Sequence, residues 1–121
     1  MEALSIKQPY AQLICLGIKD VENRNWDTNV RGKIWIHASK KRDESARLHL
    51  DMLGCPYPEI PYNYFGALIG TVDLVAVVKH SDSDWFYGKY GFVFENPFLL
   101  NKPIPYIGHL SFFDVELPGG M

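Results

Sequence analysis

Both helical patterns in this 121-residue chain fall in its first half, and nearly everything after residue 66 reads as strand and turn. A doubly wound parallel sheet needs strands and helices in alternation along the chain, so that architecture is excluded. The pattern predicts an α+β fold: a small, largely antiparallel sheet curled into a β-barrel, with two main helices packed at its side or mouth and a ligand cleft between helix and barrel.

The clearest strand is Lys33-Ile34-Trp35-Ile36-His37-Ala38, where period two sends Ile34, Ile36 and Ala38 to one face and Lys33, Trp35 and His37 to the other. Before it, Ala3 to Ile6 predicts a short strand. Pro9 then suits the first position of a helix whose Tyr10, Leu13 and Ile14 share a face and which Gly17 stops. A charged helix is predicted from about Lys41 to Leu53, capped by Ser39 or a neighbour, with Ala46, Leu50 and Leu53 as its apolar stripe and Gly54 at its end. Ala67 to Val78 predicts a long strand bent near Gly70. Tyr90 to Glu95 and Leu110 to Leu117 are two more, with Pro97, Pro103 and Pro105 marking the connection between them.

The length suits one domain, residues 1–117, followed by the flexible tail Pro118-Gly119-Gly120-Met121. With 47% hydrophobic and 21% charged residues, long disorder and coiled coil are excluded, and a chain of this size buries roughly two-thirds of its unfolded surface without staples. Cys15 and Cys55 have neither the count of a disulfide framework nor a metal-binding spacing. No signal-peptide pattern opens the chain. The apolar run at Ala67 to Val78 is broken by Asp73 and too short to span a bilayer, so a soluble, cytoplasmic protein without membrane contact is expected.

Charge is unevenly distributed. Residues 1–50 carry nine of the twelve Lys and Arg against six acids, a local +3, whereas residues 51–121 carry three against eight, a local −5. A net −2 argues against a broad duplex-coating surface and leaves one small basic face for a short strand, a nucleotide or another anion. P-loop, Rossmann, zinc-protease and serine-esterase motifs are absent, and His37, His49, His80 and His109 have no paired ligand spacing. No metal and no cofactor is expected.

The densest polar cluster beside a turn is Gly17 to Arg24. A lysine just past a helix end, Lys19, can bind a phosphate or stabilise an oxyanion, and Glu22 can act as a general base. Glu22 and Arg24, two apart on an extended segment, can equally form an ion pair that only fixes the turn. Lys7 and Gln8, at the strand-to-helix turn, offer a charge and an amide to a phosphate or base edge. Ser39 and Lys40 are candidates for an anion contact. Trp35 and His37 beside Lys33 can make a stacking face, Trp26 and Trp85 can close over a base or plug the barrel end, and Tyr90 can orient a ligand through its hydroxyl. Asp73, within an apolar strand, needs a partner, and Arg24 or Lys19 is the expected one.

The motif GxKxxExR at Gly17 to Arg24, with LSIKQPYAQLI before it and RGKIWIHAS after it, resembles the ASCH domain, a branch of the PUA-like superfamily. The similarity continues through Gly66 to Leu74, Tyr90 to Pro97 and Pro103 to Gly108, and so covers nearly the whole chain. The resemblance implies a β-barrel with a cleft beside the first helix and a role in binding RNA or other nucleic acid. Some small members are amidohydrolases that deacetylate 4-N-acetylcytidine, and a few relatives are ribonucleases. In the amidohydrolases the motif is GxKxxTxR, with the Lys, the Thr and a later Glu regarded as catalytic. Lys19 matches that Lys, Glu22 stands where the Thr stands, and Asp73 and Glu95 are the candidates for the later carboxylate.

Three functions follow from these readings. One is the binding of RNA, single-stranded nucleic acid or a modified nucleotide in a small basic cleft, through Lys7, Gln8, Lys19, Arg24, Ser39, Lys40, Trp85 and Tyr90. A second is an amidohydrolase that deacylates 4-N-acylcytidine-type nucleosides, with Lys19 and Glu22 as catalytic residues. The third is a protein-interaction module.

Overall fold

In the computed structural model, which describes residues 1–118, the chain runs β1 (Glu2–Gln8), α1 (Tyr10–Cys15), β2 (Val21–Arg24), β3 (Gly32–Arg42), α2 (Ala46–Leu53), a 3-10 turn at Tyr62–Tyr64, β4 (Ala67–Val78), β5 (Tyr90–Pro105) and β6 (Phe112–Asp114). Three of the four predicted tail residues, 119–121, lie outside the described residues. The strands form one sheet in the order β2-β5-β4-β3-β1-β6, antiparallel throughout except for the parallel pair β1 and β3.

The α+β class and the two helices agree with the sequence expectation, but the sheet does not close into a barrel. Its ends are the two shortest strands, β2 and β6, and among the described residues no ladder joins them. Side chains bridge the gap instead. Trp26, just past β2, packs edge-on against Phe92 at 5.3 Å and against Phe112 of β6 at 5.9 Å. Arg24 Nη2 reaches the Ser5 carbonyl of β1 at 3.0 Å.

The core follows the predicted alternation: Ile34, Ile36 and Ala38 are buried with Leu4, Ile6, Ile69, Val72, Leu74 and Phe92. The opposite face is not an open stacking surface. Trp35 packs with Ala3, Leu68 and Phe113, while His37 is buried between Ser5 Oγ, at 2.9 Å, and the Tyr106 carbonyl, at 2.7 Å.

Three boundaries differ from the expectation. The basic run Lys40-Lys41-Arg42 ends a strand and does not start a helix, because parallel pairing with β1 extends to the Gln8 and Arg42 register. Ser39 therefore caps nothing, and α2 begins later, where the Asp43 carboxylate accepts the Ser45 amide at 3.0 Å and hydroxyl at 2.6 Å. Pro97, Pro103 and Pro105 lie inside the 16-residue β5 rather than in a connection. β2 pairs only with Tyr90 to Val93, and the Phe94 amide adds a bond to the Asp20 carbonyl at 3.0 Å, so the prolines fall where, among the described residues, no strand flanks that edge of β5. The last strand is confined to Phe112–Asp114.

Asp73 takes neither expected partner. Its carboxylate accepts the Asn96 amide at 2.7 Å, and it faces Glu95 across β4 and β5. Both Cys15 and Cys55 are free, and burial pushes the Cys15 thiol up to about 12. Among the described residues, no helix is long and apolar enough to cross a membrane.

Candidate functional site

The open side of the sheet is also where a ligand can enter. Ser5, Ile6 and Lys7 of β1 face Glu22, Asn23 and Arg24 of β2 across a cleft of about 310 Å³. Tyr10 at the start of α1, Lys19 beyond that helix, Asp43 and His49 before and within α2, and Tyr87 in the loop before β5 complete its walls. No ladder joins β2 to β1 among the described residues, and the cleft occupies the space between them.

Lys19 is placed by the way α1 stops. Gly17 adopts a left-handed conformation, φ 79°, its amide bonds the Ile14 carbonyl at 3.0 Å and the Ile18 amide bonds Leu13 at 3.0 Å. This paired closure turns the chain sharply back, and the next amide, that of Lys19, also reaches Leu13. The Lys19 side chain is only 3% exposed. Its ammonium donates to the Val21 carbonyl and lies over the rings of Tyr10 and Trp85, at 5.3 Å and 5.4 Å. Burial lowers its proton affinity, an effect that nearby Glu22 opposes.

Glu22 stands between two cations. Its Oε2 accepts Arg24 Nη2 at 3.0 Å and Nε at 3.2 Å, and its Oε1 is 3.8 Å from Lys19 Nζ. Oε1 therefore keeps an acceptor position for a donor entering the cleft. Arg24 is fixed twice, by Glu22 and by the Ser5 carbonyl. The cation and the carboxylate are thus held at set positions before any ligand arrives.

Aromatic groups form the other wall. Tyr10 of α1 and His49 of α2 share a 2.5 Å hydrogen bond between the hydroxyl and Nδ1, and burial together with Asp43 raises the Tyr10 pKa, so it stays a protonated phenol. Tyr87 is 62% exposed at the mouth. Its loop is tied to β2 by one side chain: Asn23 Nδ2 donates to the Trp85 carbonyl at 2.8 Å, and the Tyr87 amide donates to Asn23 Oδ1 at 2.9 Å. Asp43 lines the rim, where its bonds from Ser45 hold its carboxyl below the usual range.

Of the residues singled out in the sequence, Lys7, Lys19, Glu22 and Arg24 meet in this cleft. Gln8 is fully buried, its Nε2 donating to the Tyr64 carbonyl and its Oε1 accepting the Gln12 amide, each at 2.9 Å. Trp85 lies beneath Lys19 as floor. Ser39 and Lys40 line a separate concavity on the other side of β1, and Tyr90 sits opposite Arg24 on β5, outside the cleft lining. Asp73 and Glu95 are likewise away from it. Tyr10, Asn23, Asp43, His49 and Tyr87 complete the site. No local spacing links them, since they come from five separate segments. Among the described residues, no three His, Cys, Asp or Glu side chains converge closely enough to hold a metal ion.

The sequence matches the ASCH domain family over residues 4–108. It is 41% identical over 78 residues to human activating signal cointegrator 1 and 42% identical over 78 residues to the mouse protein, in each case over 60% of this chain. That segment is 13% of either relative's length. Among solved structures, the ASCH protein of Zymomonas mobilis superposes with a TM-score of 0.52 at 20% identity, over 86% of this chain and 72% of that one. A tyrosine-to-phenylalanine mutant of the same Zymomonas mobilis protein gives 0.50 at 19%, over 86% and 74%.

Proposed function

Because the chain belongs to the ASCH domain family, we propose that its cleft binds a single nucleotide, as one unit of RNA or another single-stranded nucleic acid or as a free modified nucleotide. The observation that carries this reading is a one-ligand cleft of about 310 Å³ in which fixed cations and a carboxylate face an aromatic wall. Lys7 and Arg24 supply positive charge for a phosphate, and Lys19 supplies more from the floor. Glu22 Oε1 accepts from an exocyclic amine, and Tyr87 and His49 offer a face to the base. Titration with nucleoside monophosphates should give an affinity that falls as salt rises, and Lys19→Ala should weaken it by about tenfold or more. Affinity indifferent to both salt and Lys19→Ala would sink the reading and favour a protein-interaction module.

The placement of Lys19 and Glu22 side by side in one cleft supports a second reading, hydrolysis of an acylated cytidine. Glu22 would take a proton from water as the oxygen attacks the acyl carbon, and Lys19 would stabilise the oxyanion. The amide C–N bond would then break, with the proton passing to the departing N4 to leave the free acid and cytidine. Incubation with 4-N-acylcytidines, followed by mass, separates the two readings. Acid released by the wild type and not by Glu22→Gln would make the protein an amidohydrolase, and no release would leave it a binder.

A further inference from the structure

Ser5 lies at the meeting point of two concavities. Besides the cleft described above it lines a second one, of about 420 Å³, on the other side of β1. The walls of that second cleft include Lys40, Lys41, His37 and His109 and no carboxylate, whereas the first contains Glu22 and Asp43. Of the two, it is the one better suited to a phosphate.

Its construction explains why the sequence carries lysines there. Between the paired positions Ile6 and Ala38 and the next pair, Gln8 and Arg42, β1 advances two residues and β3 four. The surplus residues bulge, and Ser39, Lys40 and Lys41 line the cleft from this bulge. The far wall is the segment Tyr106 to Leu110, which His37 holds by bonding the Tyr106 carbonyl through Nε2 at 2.7 Å. A carbonyl only accepts, so Nε2 carries the proton and Nδ1 of the neutral ring accepts from the Ser5 hydroxyl at 2.9 Å. Ser5 is thus pinned at the ridge with its oxygen still able to accept. Along the far wall Ile107 is 76% and Leu110 96% exposed, giving apolar surface next to the two lysines.

We infer that a single strand of nucleic acid crosses β1 at Ser5, with one nucleotide in the Lys19 cleft and the adjoining phosphate and base in the Lys40 and Lys41 cleft. This rests on the nucleotide-binding reading and extends it from one nucleotide to a strand. The phosphate lies against the two lysines, and the base rests on the His109 ring and the exposed apolar side chains.

Fluorescence anisotropy with labelled tetranucleotides, and competition by mononucleotides, tests the path. The wild type should bind the tetranucleotide about tenfold or more tightly than the mononucleotide, and its log affinity should fall more steeply with log salt, by roughly 0.7 per added phosphate contact. In a Lys40→Ala, Lys41→Ala double variant, the ratio of tetranucleotide to mononucleotide affinity should collapse towards one. Both lysines are exposed, so the fold should tolerate the change. A ratio near one in the wild type, or one that survives in the double variant, would overturn the strand path while leaving mononucleotide binding intact. Tetranucleotide binding that responds to Lys40 and Lys41 but not to Lys19→Ala would overturn both the cleft reading and the joined path.

Discussion

The ammonium of Lys19 lies 3.8 Å from Oε1 of Glu22, near enough for attraction and too far for a hydrogen bond. Its direct partner is the Val21 carbonyl, and the rings of Tyr10 and Trp85 shield it from water. A buried charge with so few partners costs folding free energy, and such a cost is expected where a charge serves a ligand. Lys19→Met keeps most of the stem's apolar contact and removes the charge. Its melting temperature should be unchanged or raised by about 2–8 °C, while nucleotide affinity falls. A large drop in melting temperature would instead mark the ammonium as a structural clasp on the turn after α1.

Asn23 acts on the cleft through a loop. Its amide group makes both bonds that hold residues 85–87 to β2. Asn23→Ala should cost about 1–2 kcal/mol in urea denaturation for the two lost bonds. It should also weaken nucleotide affinity, because Tyr87 is no longer held at the mouth. If affinity is unchanged while stability falls, the Tyr87 wall makes no contact with the ligand.

His37 gives the fold a pH dependence with a definite sign. Burial lowers its pKa from 6.5, with nearby His109 adding to the shift and the bond to Tyr106 opposing it. Above 6.5 the imidazole is neutral in both folded and unfolded chains and contributes no slope. Below it the unfolded chain takes the proton more readily, so stability should fall as pH drops from 6.5 towards the lower folded value. Denaturation series across that window should show the slope in the wild type and lose it in His37→Gln. An equal slope in both would assign the effect to other groups.

The chain's local chemistry made the α+β class, the buried face of β3 and the polar cluster of Gly17 to Arg24 legible, because alternation, Gly17 and the charges of Lys19, Glu22 and Arg24 all act within a few residues. What escaped was set by long-range pairing. The extent of β3 depends on the register of Gln8 with Arg42, and the prolines of β5 fall beyond the stretch that β2 covers. Tyr10 meets His49 across 39 positions of sequence, so no spacing announces that pair. Gln8 looked like a ligand contact beside Lys7, but β1 turns alternate residues inward and Gln8 follows Ile6 into the interior.

Gly70 is where α1 rests on the sheet, and it links stability to the position of Lys19. A Cβ there would stand 2.1 Å from the Phe98 carbonyl oxygen and 2.7 Å from Cys15 Sγ. The first contact is with the backbone of β5 and the second with the last residue of α1, so neither side yields without moving an element. Gly70→Ala should therefore destabilise by about 2–3 kcal/mol or more, read from the urea midpoint. Because the turn after α1 carries Lys19, nucleotide affinity should fall at temperatures where the variant is still folded. Cys15→Ala in the same chain removes the sulfur but not the Phe98 oxygen, so it should recover only a minor part of the loss. Full recovery would place the strain entirely at the helix, and would mean that β5 can slide at its register shift between Leu68 and Gly70 without penalty.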